Sequence, residues 1–301
     1  MKRVFAILTA MALITSCYKS VLVDPVPLGN GAVEVTITLP TPEQSVTAED
    51  ATTPESYTVI IDNEVVSVDK DSTAVFEDLE PREYTIYVYS NTSEMSIENN
   101  IDESGEGSII SSKEVDAGGV QSLTEDLYFG MQTATVLADE VVTTQVMLWQ
   151  VTRTIKFNLQ ITEGDPDRIA SVEASLSGIV QQWECVADVP MGESVTINPI
   201  FTRGESLVGA EDGSANDYLT SSIKVLGVQG EEQDLVLVIT YTDGTTQRIT
   251  SSLGEEFVGS NDTKSTPLIL EGDLTTPIEG ATEGATIDNW RPGSGGSQTV
   301  N

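Results

Sequence analysis

Apolar and polar residues alternate along most of this chain. In residues 31–39 (GAVEVTITL) Val33, Val35, Ile37 and Leu39 share one face. A period of two marks a strand buried on one side. Residues 57–62 form a second such run, and Asp62, Asn63 and Glu64 read as a hairpin turn into residues 65–68. Residues 73–79 follow. Glu80, Pro81 and Arg82 then turn the chain into residues 83–90, where Tyr84, Ile86 and Val88 alternate with Thr85, Tyr87 and Tyr89. Residues 91–119 hold few large apolar side chains and predict a long, mobile loop. Strands resume at 123–131, 133–137 and 141–149.

A second block opens with residues 153–161 (RTIKFNLQI), which alternate cleanly through Ile155, Phe157, Leu159 and Ile161. Asp165 and Pro166 mark a turn. Further strands are predicted at 169–176, 180–189, 194–201, 219–227, 234–241 and 245–253, with a short closing strand at 268–270. Asp243-Gly244 is the strongest short hairpin signal in the chain. No helical period is sustained beyond the first residues. Short strands at regular spacing, broken by turn signals, predict an all-β chain of two tandem β-sandwich domains. The domains are expected at 31–151 and 152–274, and residues 275–301 form a flexible tail or a donor strand.

The N-terminus carries an address. Lys2 and Arg3 precede a short apolar run at 5–14, too short to span a bilayer. Leu13, Ile14, Thr15 and Ser16 then lead into Cys17. This is the pattern of a secretory signal peptide, residues 1–16, and it resembles a bacterial lipobox. Lipidation at Cys17 is the expectation, with residues 17–30 as a tether; the plainer alternative is a signal peptide with an incidental cysteine. Each buried CH₂ of an acyl chain contributes about 0.8 kcal/mol, so several chains on one sulfur make a durable anchor. Outer-membrane lipid is then one partner, with the cell surface and the periplasm-facing leaflet both open. Cys185 is the only other cysteine, which leaves no disulfide and reads as a buried thiol.

Composition removes several functions. The formal charge is −34 and there is no histidine. A nucleic-acid partner needs clustered Lys and Arg, so none is expected. Histidine-dependent nucleophilic catalysis is excluded, and the abundance of carboxylates makes any acid pair uninformative. No enzyme activity and no cofactor are predicted beyond the lipid. Calcium on the acidic loops around Asn99, Asn100, Asp102, Glu103 and Glu106, or around Glu211, Asp212, Asn216 and Asp217, is conceivable chemistry. Neither loop has the spacing of an EF-hand, and solvated acidic loops are the plainer reading. Trp149 and Trp183 sit in apolar strands and read as core. Trp290, alone in a polar tail, should dock on the body of the protein or on a partner.

Several stretches together resemble one family. They are the lipobox at Cys17, residues 79–91 (LEPREYTIYVYSN), the RTIKFNL run from Arg153, ASLSG at 174–178 and YTDG at 241–244. They are similar to the Bacteroidetes fimbrillin-associated anchor lipoproteins, the FimB/Mfa2 family. The resemblance implies two transthyretin-like/immunoglobulin-like sandwiches, retained lipid, and a place in a cell-surface fimbrium with pilin subunits as partners. Stalk pilins of the superfamily are instead cut after an arginine downstream of the lipobox. Here no arginine lies between Cys17 and Arg82, only Lys19 and Lys70. The resemblance thus favours an anchor or accessory subunit acting by β-strand addition. Residues 285–290 are the candidate donor strand, with Ala285, Ile287 and Trp290 as partner-binding residues. The same strand folded back on its own domain is the alternative. A glycan-binding accessory lipoprotein of a polysaccharide-uptake system is the alternative function; it requires exposed aromatic platforms.

Overall fold

A computed structural model describes residues 29–40, 52–116, 119–204, 217–230, 232–261, 266–277 and 284–292. Strands in the first half are β1 (Gly31–Thr38), β2 (Ser56–Ile61), β3 (Glu64–Asp69), β4 (Ala74–Leu79), β5 (Glu83–Ser90), β6 (Ser96–Asn99), β7 (Ile109–Ser112), β8 (Val115–Asp116), β9 (Gly119–Val120), β10 (Tyr128–Thr135), β11 (Val141–Met147) and β12 (Trp149–Gln150). The second half has β13 (Arg153–Glu163), β14 (Ile169–Glu184), β15 (Val189–Ile197), β16 (Thr202–Gly204), β17 (Tyr218–Val225), β18 (Asp234–Tyr241), β19 (Thr246–Ser252), β20 (Leu268–Thr275) and β21 (Thr286–Pro292). Among the described residues the only helical turn is at Pro166–Arg168, capped by the Asp165 carboxylate. The chain is all-β, as its alternation predicts.

One strand order is used twice. β1 lies between β4, antiparallel, and β11, parallel. In the same way β13 lies between β17, antiparallel, and β20, parallel. The opposing sheets match too: β10-β5-β2-β3 in the first half, β19-β18-β14-β15 in the second. Each half closes a core between its two sheets. Val33, Val35, Phe76, Ile86 and Val88 fill the first. Phe157, Leu159, Leu237, Ile239 and Leu270 fill the second. The predicted hairpins at Asp62 and at Asp243-Gly244 are both present. Asp62 and Gly244 take the positive φ that such turns require.

A third apolar cluster joins the halves. Ile60, Tyr87 and Phe129 from the first half meet Val180, Trp183, Cys185 and Leu226 from the second. The faces of β5 explain this. Tyr84, Ile86 and Val88 point into the first core, while Tyr87 and the half-buried Tyr89 point into the joint. Phe129 stacks edge-on against Trp149, with centroids 5.1 Å apart. Beside this cluster lies a buried ion pair across the joint, Lys224 Nζ to Asp126 at 2.9 Å. Asp126 also accepts from the Thr52 backbone N–H at 2.8 Å, from Gln150 Nε2 at 2.9 Å and from the Thr152 hydroxyl at 2.9 Å. These bonds and the ion pair offset the cost of burying the carboxylate.

Two expectations from the pattern fail. The described part of residues 91–119 is not a free loop, for the hairpin β6–β7 adds to β14 through Ser112↔Gln182, and β9 adds to β15 through Val120↔Ile197. Met95, Ile101 and Ile109 anchor this segment in the joint, and the Tyr87 hydroxyl donates to the Gly105 carbonyl at 2.9 Å. Strands of two to four residues borrow their order from a neighbouring sheet, so they show no period of their own. The strands predicted at 169–176 and 180–189 are one, the sixteen-residue β14. Register shifts after Leu176 and Val180, with Gly178 at φ +78°, break its alternation. The bulges turn the end of β14 out of the second core and aim Val180 and Trp183 into the joint.

Candidate partner-binding site

Of the sequence-predicted site residues, Cys17 lies outside the described residues. Ala285, Ile287 and Trp290 come together at β21. This strand pairs antiparallel with β20, Leu274 opposite Ile287 and Thr275 opposite Thr286. Ile287 and Trp290 are three residues apart, and a bulge with Asn289 at φ +54°, opposite the register shift between Glu271 and Asp273, brings both to the inner face. Ile287 is buried in the second core, and Ala285 and Trp290 pack against it half-buried. The Trp290 ring meets Phe157 edge-on at 6.4 Å. Room for it comes from Gly272 on β20, where an added Cβ would lie 3.2 Å from the indole and 3.1 Å from Ile287.

β21 also closes the sandwich from one sheet to the other. Its Ala285 N–H donates to Gln247 Oε1 at 2.8 Å, and the Trp290 indole N–H donates to the Ser251 hydroxyl, both acceptors on β19. Arg291 reaches back to Glu271 and Asp273, each at 3.2 Å. The structure therefore has this strand folded back on its own half. Releasing it would expose the Ile287 and Trp290 side chains, at a cost of about 5 kcal/mol in apolar burial.

β1 is held as firmly, in the middle of its sheet. Seven consecutive pairs, Ala32↔Val141 through Thr38↔Met147, tie it to β11 without a register shift. The first arginine after Cys17 is Arg82, beyond β4. A cut there would separate β1, β2, β3 and β4 from the rest.

Asp102 spends its carboxylate on its own loop, accepting from the Ser104 hydroxyl at 2.6 Å and from the Ser104 and Glu106 N–H groups. Those bonds hold it below the usual carboxylate range. Asp217 pairs with Arg203, and Glu211, Asp212 and Asn216 lie outside the described residues. Cys185 is 1% exposed. Among the described residues every Phe, Tyr and Trp is buried or half-buried. The pattern missed Asp126 and Lys224, since one carboxylate among 48 acids carries no signal.

Solved structures share the architecture. An adhesin-described protein of Bacteroides thetaiotaomicron superposes with a TM-score of 0.55 at 13% identity, covering 89% of this chain and 98% of its own. The fimbrial anchor protein Mfa2 from Porphyromonas gingivalis gives 0.54 at 12% identity, covering 87% and 96%. A Bacteroides thetaiotaomicron protein described as polysaccharide binding gives 0.51 at 8% identity, covering 87% and 97%. At these identities the likeness is one of fold. The chain matches no curated protein. The profile of the family described as fimbrillin-A associated anchor proteins Mfa1 and Mfa2 matches residues 48–292, and by that match this chain belongs to the family.

Proposed function

We propose that this protein is a non-catalytic, lipid-anchored accessory subunit at the base of a cell-surface fimbrium, joined to fimbrial subunits by β-strand addition. One observation carries the anchor role. β1 is locked between β4 and β11, and no arginine lies between Cys17 and Arg82. Arginine-specific trimming cannot remove this one strand, so the N-terminus and a lipid on Cys17 stay with the body. Strand addition suits an all-β molecule whose sheets end in open edges, where main-chain bonds give affinity and alternate side chains give specificity. The glycan-binding alternative, which the description of one structural neighbour also suggests, finds among the described residues none of the exposed aromatics that sugar stacking needs.

The test is Cys17→Ser in the native host. The account expects the protein to leave the membrane fraction and assembled fimbriae to appear in the medium. Unchanged membrane association of both would refute the anchor role.

A further inference from the structure

The two halves differ at one edge. In the second half the outer side of β20 is covered by β21. In the first half β11 holds the same place in the same strand order, yet among the described residues nothing pairs with its outer side. We infer that β11 is the acceptor edge for an added strand, and that its occupant is an extended, uncharged terminal strand of a neighbouring fimbrial subunit, running antiparallel as β21 does on β20. This inference rests on the fimbrial reading above and names the surface where it acts.

The backbone of β11 is ready for a guest. Glu140 accepts from the Ala32 N–H at 2.9 Å, and the Leu148 N–H donates to Thr38 at 2.9 Å. Those bonds fix the parity of the ladder. The even-numbered residues bond to β1, so Val141, Thr143, Gln145 and Met147 turn their N–H and C=O groups to the open side.

The side chains of β11 are equally open. Proteins blunt exposed edges with charges, prolines, bulges or short length. The other edges here follow that rule. β4 carries Glu77 and Asp78 and a register shift against β1, β3 carries Glu64 and Asp69, β19 carries Arg248, and β21 carries Asp288, Arg291 and Pro292. β11 (VVTTQVM) has none of these protections. It is seven residues long, regular, and uncharged in a chain of formal charge −34. Its two ends present Val141 at 62% exposure and Met147 at 65%. They stand about 20 Å apart, the span of a seven-residue strand.

The same edge limits what can bind. β20 has Gly272, and the Trp290 ring enters over it. β11 has no glycine; its inward residues are Val142, Thr144 and Val146. An indole cannot enter there as Trp290 does. The guest is therefore held by main-chain bonds and by Val, Ile or Thr side chains, with apolar residues beside Val141 and Met147. A charge on it would meet no partner on β11.

The test uses the full-length tagged protein recovered from native membranes, with co-purifying fimbrial subunits identified by mass spectrometry. Gln145→Pro removes an N–H aimed at the open side and no main-chain bond to β1, although the Gln145 side-chain bond to the Thr38 hydroxyl goes with it. Thr143→Lys places a charge on the edge. With the thermal midpoint unchanged, each variant is expected to lower recovery of the neighbouring subunit by about ten-fold or more. In the wild-type complex the amides of Val141, Thr143, Gln145 and Met147 should exchange about ten-fold more slowly than in the free protein. Equal recovery with both variants, or protection of β11 by a second copy of this chain, would overturn the acceptor edge and leave the anchor role standing. Recovery of no fimbrial subunit with the wild type would overturn both.

Discussion

At the scale of single residues, two side chains carry much of the order. Trp290 was legible in the sequence as a tryptophan with nothing local to pack on, and the structure supplies Phe157, Gly272 and Ser251 as its neighbours. Trp290→Ala is expected to cost about 3 kcal/mol and to free β21, seen as faster amide exchange over residues 284–292. Asp126 was not legible, because its importance lies in what surrounds it. Asp126→Ala strands the Lys224 ammonium in the joint and should cost about 3–5 kcal/mol by denaturant titration. Removing the exposed Lys70–Glu55 pair should change nothing measurable. Buried phenols set the alkaline limit. Burial, first of all, raises Tyr57, Tyr87, Tyr128 and Tyr241 above the ordinary tyrosine value of 10.0. The folded state thus holds these protons more tightly than the unfolded chain does. That contribution is complete below pH 10 and is lost as pH rises above it. The tyrosinate absorbance of these four residues should therefore rise together with loss of secondary structure, not ahead of it.

At the scale of elements, clean alternation told the truth and its absence misled. β1, β5 and β13 alternate, and the alternation assigns their faces correctly, because a strand whose two sides meet different environments must alternate. The apolar side of β5 toward the first core was evident. That Tyr87 and Tyr89 on its other side meet a second apolar cluster was not, since the cluster is assembled from remote strands. The short strands of residues 96–120 escape the pattern because their order comes from pairing with the second half, and β14 reads as two strands because its bulges break the alternation. The structure predicts that Ile109–Ser112, bonded on both sides, resists exchange far better than the turn at Asp102–Glu106. Uniform rapid exchange across residues 96–112 would restore the mobile loop that the sequence pattern suggested.

At the scale of the whole molecule, the shared joint makes the two halves interdependent. Trp183 and Tyr87 are buried only because both halves are present, and β7 and β9 of the first half extend the large sheet of the second. The protein should therefore unfold in one cooperative transition, with Asp126→Ala lowering the midpoint of the whole; two separated transitions would show the joint to be weak. A joined body of this kind, with β1 locked in place, suits the proposed role of transmitting load between a membrane and a fibre. Mass analysis of the protein taken from native membranes with its bound partners tests this most directly. The account predicts a chain that begins at acylated Cys17, retains β1, and brings fimbrial subunits with it. A chain without acyl groups, one trimmed past β1, or one recovered alone would contradict it.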